Sequence, residues 1–207
     1  KYGSSDFLVI AFTPHKDIFS NETISLLKKL EGNLKNIDGI QNVLSLLDVP
    51  LLSYSDQSIN ELADNLVTLS TENIDLVKAK KEFEINEVYR GLLISDDLKT
   101  IAFQMTLEPN DKFQNLISER YDLLDSKNIL NKEIFSERLE NLDLKIDDQK
   151  KVNLSNEAIL IKDIRNISNL YKDKGEIFLG GGAMIAHDTI KMIQQDLFTF
   201  GVAVFFM

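Results

Sequence analysis

Cysteine is absent from this 207-residue chain, which excludes a disulfide framework and a thiolate metal site and leaves the redox state of its compartment unreadable. Histidine occurs only twice, at His15 and His187. The two lie far apart in sequence, and His187 and Asp188 are neighbours that point in different directions on a helix, so no metal constellation emerges and none is expected. Clustered positive charge is missing as well. Lys28-Lys29, Lys80-Lys81 and Lys150-Lys151 each sit among carboxylates and read as solvated helix faces. With 33 acidic residues against 23 basic ones the formal charge is −10, a balance that disfavours nucleic acid as a partner, because phosphate binding depends on clustered Lys and Arg. Ser, His and Asp all occur, yet no Gly-x-Ser-x-Gly elbow accompanies them, so no triad follows from composition and the chain reads as non-enzymatic. It opens at Lys1-Tyr2-Gly3-Ser4-Ser5, without an initiator Met, a basic n-region or an apolar h-region, as expected of a piece cut from a longer protein.

What is present is enough for folding: a hydrophobic content of 43% over this length supports one substantial core, or one core with an inserted subdomain. The most informative stretch lies at the end, where Leu197-Phe198-Thr199-Phe200-Gly201-Val202-Ala203-Val204-Phe205-Phe206-Met207 has Thr199 as its one polar residue. Spanning hydrocarbon takes roughly 20 apolar residues. Residues 197–207 are too few to cross, which leaves two readings: a buried C-terminal element of a globular domain, or the opening of a transmembrane helix.

Upstream, Phe7 to Phe12 is an unbroken apolar run ended by Thr13-Pro14, the pattern of a central strand buried on both faces. Ser20 or Asn21 can cap the following helix, Glu22 complements its dipole, and Ile24, Leu27, Leu30, Leu34 and Ile37 recur at helical spacing until Gly39. Ile40 to Leu47 reads as a second strand, closed by Pro50, so residues 7–47 predict a right-handed strand-helix-strand unit with parallel strands. From Ser58 to about Phe83, the positions Ile59, Leu62, Leu66, Leu69, Ile74 and Val77 predict two short inserted helices broken near Ser70-Thr71. Leu92 to Ser95 and Thr100 to Leu107 predict a hairpin, its second arm placing Ile101, Phe103, Met105 and Leu107 on the core face. Charged residues 110–150 carry apolar stripes at Phe113, Leu116, Ile117 and Leu124, then at Phe135, Leu139, Leu142 and Ile146, and predict a helical hairpin bent near Lys127-Asn128. After Asn153-Leu154-Ser155-Asn156 a further helix bears Ile161, Ile164, Ile167 and Tyr171, stops at Gly175, and gives way to the strand Ile177-Phe178-Leu179. Without its two helical insertions the order is strand, helix, strand, strand, helix, strand. That is an α+β fold of the ferredoxin-like split βαβ kind with helices on one sheet face.

Gly180-Gly181-Gly182 ahead of a helix invites a phosphate-loop reading, since bare amides at a helix start bind anions. A Walker loop needs Lys and Ser or Thr after its last glycine, and the dinucleotide fingerprint needs spaced glycines with a later acid. Ala183-Met184-Ile185 follows instead. The glycines therefore read as a tight strand-to-helix turn, and no cofactor is expected.

These residues resemble the resistance-nodulation-division superfamily of exporters, on its hydrophobe and lipid branch, which includes the mycobacterial membrane proteins and hopanoid transporters. Phe7-Leu8-Val9-Ile10 with Pro14, Asp17, Phe19 and Thr23 is similar to the first strand and helix start of that family's first periplasmic porter domain. Gly39, Val43, Ser45, Leu46 and Pro50 resemble its second strand, and Leu93, Ser95, Asp97 and Thr100 its hairpin. Between Tyr171 and Gly201 the most specific likeness runs through Leu179-Gly180-Gly181, Met184-Ile185, Asp188, Ile193 and Asp196-Leu197 toward the family's second transmembrane helix. Leu98, where the family's turn usually carries Gly, and Ala183, where Pro is common, depart from the pattern.

The resemblance implies a proton-driven exporter of the bacterial inner membrane, with this segment on the periplasmic side. Residues 1–109 and 151–196 would be the porter domain, 110–150 a helical insertion and 197–207 the start of a membrane helix. Its partners would be a second periplasmic domain and the transmembrane helices of the same protein, a hydrophobic or lipid substrate and the membrane, with room for a homo-oligomer. Energy coupling would sit in the bilayer, and motion would reach the domain through the helix Met184 to Asp196, making Asp188 and Asp196 the candidate conformational-coupling residues. An auxiliary subunit of the protein-export machinery, a stand-alone periplasmic interaction domain and a small-molecule enzyme at the glycine turn are the competing functions. Phosphate-dependent thermal stabilisation would mark the last.

Overall fold

In a computed structural model, residues 7–52, 67–86, 88–127, 131–182, 184, 185, 188, 189, 192, 193 and 196 are described. The readings that fall on Ile59, Leu62, Leu66, Asn128, Ala183, His187 and residues 197–207 lie outside them.

The chain is α+β. Four strands, β1 (Phe7–Pro14), β2 (Ile40–Leu44), β3 (Ile101–Leu107) and β4 (Gly175–Gly181), form one sheet in the order β2-β3-β1-β4. Every neighbouring pair is antiparallel. β1 and β2 are each antiparallel to β3 and so run parallel to one another, but β3 lies between them instead of the two pairing directly. Four helices accompany the sheet: α1 (Asn21–Lys35), α2 (Leu76–Ile85), α3 (Asp111–Asp125) and α4 (Lys132–Asn169).

β1 is central, but it is not buried on both faces. Leu8, Ile10 and Phe12 are fully enclosed, while Phe7 is 49% exposed and Val9 and Ala11 are half-buried. Among the described residues helices cover one face only, so the alternating side of an all-apolar strand is left open. β3 obeys its alternation: Ile101, Phe103 and Met105 are buried and Leu107 is half-buried.

α1 starts as the sequence expects. Ser20 is the N-cap, its Oγ accepting from the Thr23 amide at 3.2 Å, and Ile24, Leu27, Leu30 and Leu34 form the buried stripe. Each such side chain contributes roughly 1.5–3 kcal/mol of burial. Gly39 follows at φ +90, a conformation costly for residues with a Cβ. β2 ends at Leu44 instead of Leu47, because the Asp48 carboxylate takes the Ser45 amide at 2.9 Å and the Ser45 hydroxyl takes the Leu47 amide at 3.0 Å, folding the chain into a turn.

The first arm of the expected hairpin is no strand. Ile94 makes a lone bridge to Ile101, and Leu93 and Ser95 each add one backbone bond, to Ala102 and Thr100, while residues 91–93 are coiled through Gly91 at φ +74. Both edges of β3 are already taken by β1 and β2, so no third strand can join it along its length. Leu98, in the link between the arms, sits at φ +55 with its side chain packed on the core. Burial holds a branched residue where glycine would be unstrained.

The charged region forms an antiparallel pair, α3 against the first half of α4, pinned by Arg120 Nε donating to Asp143 Oδ1 at 2.6 Å. Asn153-Leu154-Ser155-Asn156 is no break: α4 runs through it for 38 residues, roughly 57 Å at the usual rise. Asn153 Oδ1 accepts from Asn110 Nδ2 and from Gln149 Nε2, which occupies the side chain that would otherwise compete with the helix backbone. The last turns of α4 bury Leu160, Ile161 and Ile164 beneath the sheet, and Asn33 donates to the Tyr171 hydroxyl at 2.8 Å, joining α1 to the end of α4. Gly175 opens β4 and does not terminate the helix, which ends at Asn169. Among the described residues no helix is long and apolar enough to cross a membrane.

Candidate functional site

The described residues between 182 and 196 are helical and follow β4 directly. Met184 packs on the core, and Asp188 is held in a fork: Arg165 Nη2, on α4, donates to its Oδ1 at 3.0 Å and Oδ2 at 2.9 Å. Both side chains are about one-third to two-fifths exposed, so the pair's worth lies in fixing the helix against α4 more than in net stability. Asp196 is exposed, two turns further on, and is not brought together with Asp188. Arg165 was missed by sequence reasoning. It lies 23 residues from its partner, beyond the range at which helical spacing carries information.

Ile185, Met192 and Ile193 are exposed on the same helical stretch. A second apolar area is the uncovered sheet face, where Phe7 and Phe178 flank the small or uncharged residues Val9, Ala11, Ala102 and Gln104. Among the described strand residues, Glu176 is the one charge on that face. For a chain with 27% charged residues this is a sparse distribution, and it marks a face suited to apolar contact.

The glycine run is largely strand. Gly180 and Gly181 pair with Val9 and Leu8, and Gly181 combines φ +129 with a position where a Cβ would lie 2.8 Å from the Phe7 carbonyl oxygen. Close packing thus accounts for glycine at this turn. A surface cavity of about 450 Å³ lies between the end of β1, α1 and the approach to β4, lined among others by His15, Lys16, Glu22, Lys29, Asp173 and Lys174. Two of its lysines are matched at once, Lys16 by Glu22 and Lys174 by Asp173 at 2.9 Å. Among the described residues no cluster of three or more metal-ligating side chains exists.

A buried polar group also escaped the sequence reading. Glu31 occupies the inward stripe of α1 between Leu27 and Leu34, facing Ser45 and Asp48. A carboxylate at an i+4 position of an apolar stripe was the legible signal for it.

No model of a known protein family matches this chain, and no curated protein matches it.

Proposed function

We propose that this chain is the periplasmic porter domain of a proton-driven exporter of the resistance-nodulation-division type, carrying hydrophobic or lipid substrates. One observation carries the reading: the Arg165–Asp188 fork joins the helical stretch ahead of the apolar residues 197–207 to the last turns of α4, which are packed beneath the sheet. Movement of a membrane helix continuous with that stretch would reach the sheet through a rigid path. Two further features support it. Strand order β2-β3-β1-β4 with antiparallel neighbours supports a ferredoxin-like split βαβ reading, in which α2, α3 and the first half of α4 would be insertions. The open face of the sheet, with Glu176 as the one charge among its described strand residues, offers the apolar wall that a lipid-like cargo or a second domain requires.

In this reading proton flux is used within the bilayer, and the domain converts helix movement into opening and closing of a passage. Asp188 is the positioning residue for that step. The test is charge reversal in the full-length protein. Asp188→Arg and Arg165→Asp each reduce efflux of a hydrophobic dye by about fivefold, corresponding to on the order of 1 kcal/mol of coupling, and the double reversal restores it. Undiminished efflux in both single variants, with normal abundance in the membrane, overturns the coupling role.

A further inference from the structure

We propose that Glu31, Ser45, Asp48 and Lys35 form a proton-responsive clasp between α1 and the turn after β2, closed when Glu31 holds a proton and loosened when it is ionised. Ser45 donates its hydroxyl to Glu31 Oε1 at 2.7 Å and lies 3.3 Å from Asp48 Oδ2. Lys35 Nζ stands 3.3 Å from Glu31 Oε2 and 3.4 Å from Asp48 Oδ1. Two acids thus converge on one hydroxyl and one ammonium. Glu31 and Ser45 are only 7% and 1% exposed, whereas the Asp48 and Lys35 side chains are 31% and 42% exposed, so it is the Glu31 charge that is held largely out of water beside a second acid, and a proton bound there removes it.

The clasp holds something specific. Its turn sends Leu46, Leu47 and Val49 into the core, and Asp48 and Ser45 supply the turn's own bonds. Burial, followed by the Asp48 carboxyl, holds Glu31 above the usual range of its kind, while Ser45 and Lys35 pull the other way. The titratable groups that act on it are Asp48 and Lys35. A carboxyl whose folded-state pKa is raised gives stability that is complete below its unfolded value, near 4.5, and is lost as pH rises through the folded one. Lys35 is opposed by burial but raised by Glu31 and Asp48, so its contribution disappears only in the alkaline range. Asp17 and Asp97, lowered chiefly by the Phe19 amide and the Ser95 hydroxyl, change charge beneath the window.

The 207-residue chain and its Glu31→Gln and Asp48→Asn variants are melted from pH 4.5 to about 8. The unmodified chain is expected to lose roughly 3–5 °C of Tm for each pH unit by which the folded pKa exceeds the unfolded one. Glu31→Gln removes that decline, since its amide can accept from Ser45 and donate to Asp48. Amide exchange at Leu47 and Asp48, corrected for intrinsic rates, accelerates with pH in the unmodified chain and not in Glu31→Gln. Parallel melting curves for the two overturn the proposal. Should the variants not fold, a carbon-13 titration of Glu31 in the unmodified chain decides it: a midpoint above the ordinary glutamate value supports the clasp, and one at or below it refutes it.

Discussion

Replacing Phe83 by alanine lowers the unfolding free energy by about 3–5 kcal/mol, the usual result of deleting a fully buried aromatic ring, and Tm falls by roughly 8–15 °C. The expectation rests on how α2 is attached. Its buried residues are Ala79, Glu82 and Phe83, and of these only Phe83 is large and apolar. The Phe83 ring lies between Phe19 and Tyr89 at centroid distances of 5.7 and 5.8 Å, so it ties α2 both to the loop after β1 and to the turn before β3. Around that contact, Asp17 accepts from the Phe19 amide at 2.8 Å and from Lys80 at 3.1 Å, an exposed rim that adds little by itself. Val77, 69% exposed on the same helix, is the control: its replacement by alanine stays within about 0.5 kcal/mol. Urea unfolding of the two variants measures both. A Phe83→Ala loss under about 1 kcal/mol would show that the ring is not the anchor of α2.

Gly175→Ala is the second large effect, and its cause is steric. A methyl group there would lie 2.3 Å from the Thr13 carbonyl oxygen, 2.7 Å from Pro14 Cα and 2.8 Å from the Phe12 ring. Two of these atoms are backbone of the paired strand, so relief requires the first rungs of the β1–β4 ladder to part. The expected loss is about 3 kcal/mol. Gly180→Ala on the same strand meets nothing within 4 Å and stays within about 0.5 kcal/mol. Thermal melts of the pair separate close approach from a general intolerance of side chains in β4, and equal losses in the two would refute the steric account.

These cases show where the sequence was readable. The α1 cap and stripe, the alternation of β3 and the helical run of Asp111–Asp125 depend on residues within a few positions of one another, and they appear where local chemistry puts them. Leu92-Leu93-Ile94 had strand-like composition and lacked a partner edge, so composition misled. Asn153 to Asn156 had loop-like composition and lies inside a helix, because Asn110, from the start of α3, and Gln149, one turn earlier on α4, engage Asn153. Gly175 has the general tendency of a helix stop, whereas its actual constraint comes from β1.

By itself, then, the sequence determined the α+β class, the succession of strands and helices around the sheet, the core residues of α1 and β3, and the absence of any cysteine chemistry. Periodicity and capping are written within a turn or two of chain and survive in any fold that buries the same stripe. Tertiary structure alone decided which side chains of the all-apolar β1 meet the core, that Arg165 grips Asp188, and that Glu31 meets Asp48. Each of those joins groups distant in sequence, and such pairings are selected by the geometry of packing, which no local pattern encodes.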